Sequence, residues 1–266
     1  MPRFSLRRAL LWSLPAAVLG LAAAMFIERS LERRPADTCP GHERALSDSL
    51  TVRPADFRLL VLTAHRGYAH RSITAATLAL YELGARNGFA VKVTDDPGFL
   101  TGSRMGDFAV LVLLQTTGDF LDNAQRAALQ RYVRAGGGVV AVHAALDAES
   151  SWPWYHQLLG ADFAGHPRIQ QARLLPGSWE RTDEWYNYGA PPNADRVLLS
   201  VDERSYRGGR MGASHPVTWI RAFDGGRVWY TAMGHTTCSY AEPAFLAHLL
   251  EGIRWAARVG ETRKLD

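Results

Sequence analysis

The chain has 266 residues, 47% of them hydrophobic and 21% charged. That is the composition of one globular domain with room for extensions, and it excludes a fibrous or largely disordered protein. The formal charge of +4 comes entirely from residues 1–34, where six Arg face two Glu, so the remainder sums to zero and offers no basic surface for nucleic acid.

Residues 1–34 read as an export segment. Ala9 to Ile27 is an uncharged run of 19 residues, preceded by Arg3, Arg7 and Arg8. A helix of that length just spans a bilayer core, and the leading arginines keep the N-terminus cytoplasmic. A signal-anchor fits the length. A cleaved signal peptide fits the small residues Ala22, Ala23 and Ala24, and Arg7-Arg8 resembles a twin-arginine signal. The expected place for the rest of the chain is therefore the outer face of the membrane or, after cleavage, the periplasm or the medium. Residues 35–57 are polar and hold Pro35, Pro40 and Pro54, as expected of a linker. Cys39 lies there and could pair with Cys238 in an oxidising compartment.

The globular part is expected over residues 58–257, with 258–266 as a tail. Arg58–Ala64 and Phe108–Gln115 are apolar runs of strand length, and Phe89–Thr94 and Val139–His143 complete a set of four strands. Ser72–Asn87 has helical spacing and stops at Gly88. Asp122 with Gln125 forms a capping box for a second helix, closed by Gly136. This rhythm predicts an α/β fold, a mainly parallel sheet with helices on both faces. Further on, Arg196–Val201 is a strand, Asp224-Gly225-Gly226 links two strands as a hairpin, and Ala241–Ala257 is an amphipathic closing helix. No second domain boundary and no internal repeat is present.

Candidate chemistry lies at the strand ends, where open α/β sheets bind ligands. His65 and His70 follow the first strand, and His143 ends the fourth with Asp147 four residues on. His235 follows a late strand, and His166 and His215 lie in adjoining loops. Trp179 to Asn187 interleaves carboxylates with aromatic rings, a combination suited to sugar C–H faces and hydroxyls. Glu184 within it is costly between rings without a partner. Trp152 and Trp154 read instead as packing. The histidines with Glu184 or Asp147 could hold a divalent metal, although no HExxH or other fixed-spacing motif is present. There is no GxSxG elbow, no P-loop and no GxGxxG, and the triple glycine at 136–138 precedes a strand, so it cannot cradle phosphate.

The strings LQTTGDFLDNAQRAALQRYVRAGGGVVAVHAALD, WPWYHQLLGADFAGHP, WERTDEWYN and GGRVWYTAMGHT, in this order, resemble the ThuA-like (trehalose utilisation) family from about Arg58 to about Ala257. The resemblance implies a class I glutamine amidotransferase-like, flavodoxin-like fold. It places His143 where amidotransferases carry their nucleophilic cysteine, and His235 near their catalytic histidine, so thioester chemistry is not expected. The family's name implies disaccharide metabolism. The expectation is an exported or anchored protein acting on a carbohydrate or keto-sugar, with His143, Glu184 and His235 as the catalytic centre. His70, Asp147, His166, Trp185 and His215 would bind the substrate. A sugar-binding or sensory module at the membrane, without turnover, is the alternative.

Overall fold

Four short strands form the parallel half of the fold. β1 (Phe57–Leu62), β2 (Phe89–Thr94), β3 (Val110–Leu114) and β4 (Gly138–Val142) pair in parallel in the order β2-β1-β3-β4. β3 and β4 are buried at every position, which is why they read as unbroken apolar runs and not as alternating ones. Helix α1 (Ser72–Asn87) joins β1 to β2, and α2 (Asn123–Arg134) joins β3 to β4. The capping box is formed: Asp122 accepts from the Gln125 amide at 2.8 Å, and the Gln125 side chain accepts from the Asp122 amide at 2.9 Å. The computed structural model describes residues 54–260. The uncharged run 9–27 and Cys39 lie outside the described residues.

Beyond β4 the chain adds a short helix, α3 (Pro153–Leu159), then strands β5 (Phe163–Gly165), β6 (Gln170–Leu175), β7 (Glu180–Asp183), β8 (Asn187–Tyr188), β9 (Arg196–Val201), β10 (Pro216–Phe223) and β11 (Gly226–Thr231). Helix α4 (Pro243–Ala256) closes the fold. β11 extends the parallel sheet next to β4, and β10, β9, β6 and β7 continue it antiparallel, giving nine strands in the order β2-β1-β3-β4-β11-β10-β9-β6-β7. Its first five positions follow the flavodoxin-like order. The β10–β11 hairpin turns on Asp224 and Gly225, both with positive φ.

Sequence reasoning located the parallel strands and long helices but not α3 or β5 to β8, which are short or, in β6 and β7, rich in polar residues that give no hydrophobic alternation. Two boundaries move for a physical reason. β4 ends at Val142 because His143 takes a positive φ of 51°, and β3 ends at Leu114 because Gln115 does the same at 56°. No helix among the described residues is long and apolar enough to cross a membrane.

His248 on α4 packs its ring against Trp229 and Trp179, with Nε2 3.1 Å from Thr218 Oγ1. Part of its surface stays open, yet burial, aided by the Arg181 charge, holds its pKa down to about 3. An unfolded histidine titrates at about 6.5. Between those values the unfolded chain binds one proton more than the folded chain, so His248 costs stability progressively as pH falls from about 6.5 to 3. The expected slope from this group is at most ~1.4 kcal/mol per pH unit. Urea titrations across that range should show a shallower acid loss for His248→Gln than for the parent.

Candidate functional site

The loops at the carboxyl ends of β1, β4, β5, β7 and β11 bring four histidines and one glutamate together. His143, immediately after β4, is fully buried and held at positive φ. A non-glycine residue in that region is strained and stays there only where its surroundings hold it. Here the His143 Nδ1–H donates to the Ala232 carbonyl at 2.6 Å, the Tyr230 hydroxyl donates to the His143 carbonyl at 3.1 Å, and the Tyr186 ring lies 4.3 Å away, centroid to centroid. The opposite nitrogen, Nε2, is 3.0 Å from His235 Nδ1 and 3.3 Å from Glu184 Oε2.

Glu184 follows β7. Its Oε2 contacts both His143 and His235 at 3.3 Å, and its Oε1 faces His166 Nδ1 at 3.0 Å. Burial alone would raise its pKa. Hydrogen bonds from His143 and His235, together with their charge, outweigh burial and hold the carboxyl well below the usual carboxylate range. Glu184 is therefore an anion at any physiological pH. His70 packs edge-on to His143 and His235, at 5.3 and 5.1 Å between centroids. Burial, then repulsion from those two rings, lowers its pKa to about 2, so it is neutral. Its Nδ1 is buried without a hydrogen-bond partner.

A second buried group holds these loops in place. Asp183, wholly buried, accepts from the amides of Gly234 at 2.8 Å, His235 at 3.1 Å and Glu184 at 2.9 Å. It also pairs with the buried Arg181 guanidinium at 3.0 Å. Gln115 reaches in from the end of β3, its Nε2 donating to the Gly234 carbonyl at 2.6 Å and to Ser72 Oγ at 3.1 Å. Gly234 itself has φ 106°, and a Cβ there would sit 2.8 Å from the Tyr240 hydroxyl, so only glycine fits.

Of the residues singled out from the sequence, His143, Glu184, His235, His70 and His166 converge. His166 is the exposed member. Asp147 stands at the rim, open to solvent. Partial desolvation raises its carboxyl pKa against the pull of His143 and His166. Two do not reach the cluster with a free polar atom. Trp185 is fully buried and donates its indole N–H to the Gln170 carbonyl at 3.0 Å. His215 is fully buried, with Nε2–H on the Tyr186 carbonyl at 2.7 Å and Nδ1 facing Glu203 at 2.8 Å and the Tyr206 hydroxyl at 2.9 Å. Both hold the backbone that flanks Glu184 and leave no polar atom for a substrate. His65 is exposed and bonds only the nearby Thr63 carbonyl, at 3.2 Å.

Asp183, Arg181 and Gln115 were missed. Arg181 and Asp183 stand two apart on a strand, so they share a face, and a charged pair so placed was a readable sign of a buried ion pair. Gln115 gave a weaker sign, a polar residue ending an apolar strand. Cys238 is disulfide-bonded, so no free thiolate stands near His235.

Removing Asp183 leaves Arg181 buried with less counter-charge and three amides without an acceptor. Asp183→Ala should cost about 3–5 kcal/mol, the usual penalty for breaking a buried pair from one side. Chemical denaturation checks this, and a loss under 1 kcal/mol, on the scale of an exposed pair, would contradict the buried-clamp reading.

Comparison with known proteins agrees with this architecture. The ThuA family model, described as trehalose utilisation, matches residues 58–256. A ThuA-like protein from Bacteroides uniformis superposes with a TM-score of 0.64 at 22% identity, over 81% of this chain and 95% of that one. A ThuA-like protein from Parabacteroides merdae gives 0.63 at 21% identity, over 80% and 92%. A β-galactosidase from Rahnella gives 0.52 at 12% identity, over 77% of this chain and 32% of that one. Likeness at these identities is likeness of fold. No match is found among curated proteins.

Proposed function

The chain belongs to the ThuA family, described as trehalose utilisation, and we propose that its histidine–glutamate cluster acts on a carbohydrate or keto-sugar. The observation that carries this reading is the Glu184 carboxylate, ionised and held between His143, His235 and His166 at the carboxyl edge of the parallel sheet. An imidazole oriented by a fixed carboxylate can take a proton next to a carbonyl, or activate water against a keto-glycoside.

An open groove of about 540 Å³ supports the substrate class. Asp147, His156, Asp162 and Phe163 are among its lining residues. Phe163 also stacks on His166 at 6.0 Å and packs, tilted, against Tyr186 at 4.4 Å between centroids, so the groove adjoins the cluster. Its carboxylates suit sugar hydroxyls, its aromatic ring suits a C–H face, and its volume lies in the range of small-ligand pockets. Amidotransferase chemistry has no support: the strained turn after β4 carries His143 in place of a cysteine.

The expected place of action is outside the cytoplasm. Arg3, Arg7 and Arg8 ahead of the uncharged run 9–27 support export. A reporter fused after residue 34 should be active only where export succeeds. A cytoplasmic reporter would overturn this part.

His143→Ala and Glu184→Gln should each slow turnover of a responsive keto-glycoside by about 10²–10⁴-fold, the span of a lost acid–base group. Steady-state assays over a panel of glycosides and keto-glycosides check this. Unchanged turnover in both variants would end the proposal.

A further inference from the structure

We propose that His70, His143 and His235, with the Glu184 carboxylate, form a binding site for one divalent transition-metal ion of the zinc type. The inference rests on reading the same cluster as the functional site, but its evidence is separate.

The first argument is which atoms meet. His143 Nδ1 is 2.6 Å from the Ala232 carbonyl, which can only accept, so Nδ1 is committed to that bond and Nε2 is the nitrogen that faces the cluster. Nε2 lies 3.0 Å from His235 Nδ1 and 3.3 Å from a Glu184 oxygen, and the His235 nitrogen is 3.3 Å from that same oxygen. Two imidazole nitrogens and a carboxylate oxygen, all ligand atoms for a zinc-type ion, therefore face one another. The His70 ring, whose Nδ1 is buried without a hydrogen-bond partner, packs edge-on to both imidazoles.

The second argument is metric. Metal–ligand bonds of about 2.0–2.1 Å place the corners of a tetrahedron roughly 3.3 Å apart. The three atoms His143 Nε2, His235 Nδ1 and Glu184 Oε2 are separated by 3.0, 3.3 and 3.3 Å, one face of such a tetrahedron. One nitrogen each from His70, His143 and His235 lies within 4.8 Å of the others, a looser spacing that brings His70 to the same cluster as the remaining ligand.

The third argument is the surroundings. Metal-bound imidazoles characteristically donate their other N–H to a backbone carbonyl, and ligating carboxylates are themselves hydrogen-bonded. His143 does the first through Ala232, and the free oxygen of Glu184 lies 3.0 Å from His166 Nδ1, a nitrogen that also meets the Pro167 carbonyl at 2.9 Å. The donor set of imidazoles and one carboxylate suits zinc and its neighbours, not magnesium or calcium.

The test is elemental analysis of the purified full-length chain, followed by chelation and titration with Zn²⁺ and with Co²⁺ as a visible probe. One ion per chain is expected, with the absorption of four-coordinate Co²⁺. His70→Ala and Glu184→Gln should each weaken Zn²⁺ binding by at least about tenfold. His65→Ala, an exposed histidine outside both cluster and groove, should leave it unchanged. His143→Ala removes a fully buried ring, so it counts only if circular dichroism shows a native fold. A folded parent chain that retains and binds no ion, or a folded His70→Ala that binds Zn²⁺ as tightly as the parent, would overturn the site. An ion-free chain that turns over a keto-glycoside sinks the metal and spares the sugar reading. A loaded chain inert on the whole panel does the reverse.

Discussion

The buried Asp183 carboxylate ties the end of an antiparallel edge strand to the loop after the last parallel strand. β7 stands four places from β11 in the sheet, yet three amides from residues 184, 234 and 235 converge on this side chain. Ionised acceptors make the stronger hydrogen bonds, and the low dielectric around them strengthens them further. Arg181 supplies the counter-charge, and its guanidinium also lies over the Phe245 ring at 4.6 Å. Without this clamp Glu184 and His235 would sit on two independent loops. With it, their side chains meet at 3.3 Å.

The cluster is a concentration of polar groups in a place that penalises them. Burial works against the Glu184 anion and against any charge on His70, and the two residues resolve this in opposite ways. Glu184 keeps its charge because imidazoles surround it, and His70 gives up its proton because two other rings stand where a counter-ion would have to be. The strained backbone at His143 and the glycine demanded at 234 belong to the same economy of space, in which close approach of loops outweighs local conformational preference.

Chain reading and structure agree most where packing is simple. Fully buried parallel strands show as apolar runs, a capping box marks α2, and Asp224-Gly225 marks the hairpin. They diverge over residues 153–188, where short strands and one short helix carry aromatic and charged residues that are buried for each other's sake. Trp185 and His215 have the residue types of a sugar site, yet their polar atoms are spent on the Gln170 and Tyr186 carbonyls. Residue type alone cannot distinguish an aromatic group that faces a ligand from one that braces a loop.

By itself the sequence determined the α/β class, the order of the parallel strands' segments and the strand-end position of His70, His143 and His235. These follow from local rules: burial on both faces of a strand, helical spacing, and ligand sites at strand ends. Only the tertiary structure decided which of the nine histidines meet, and that Glu184 meets them. That convergence depends on contacts between residues far apart in the chain, above all Asp183 with the amides of Gly234 and His235, and no spacing along the sequence encodes them.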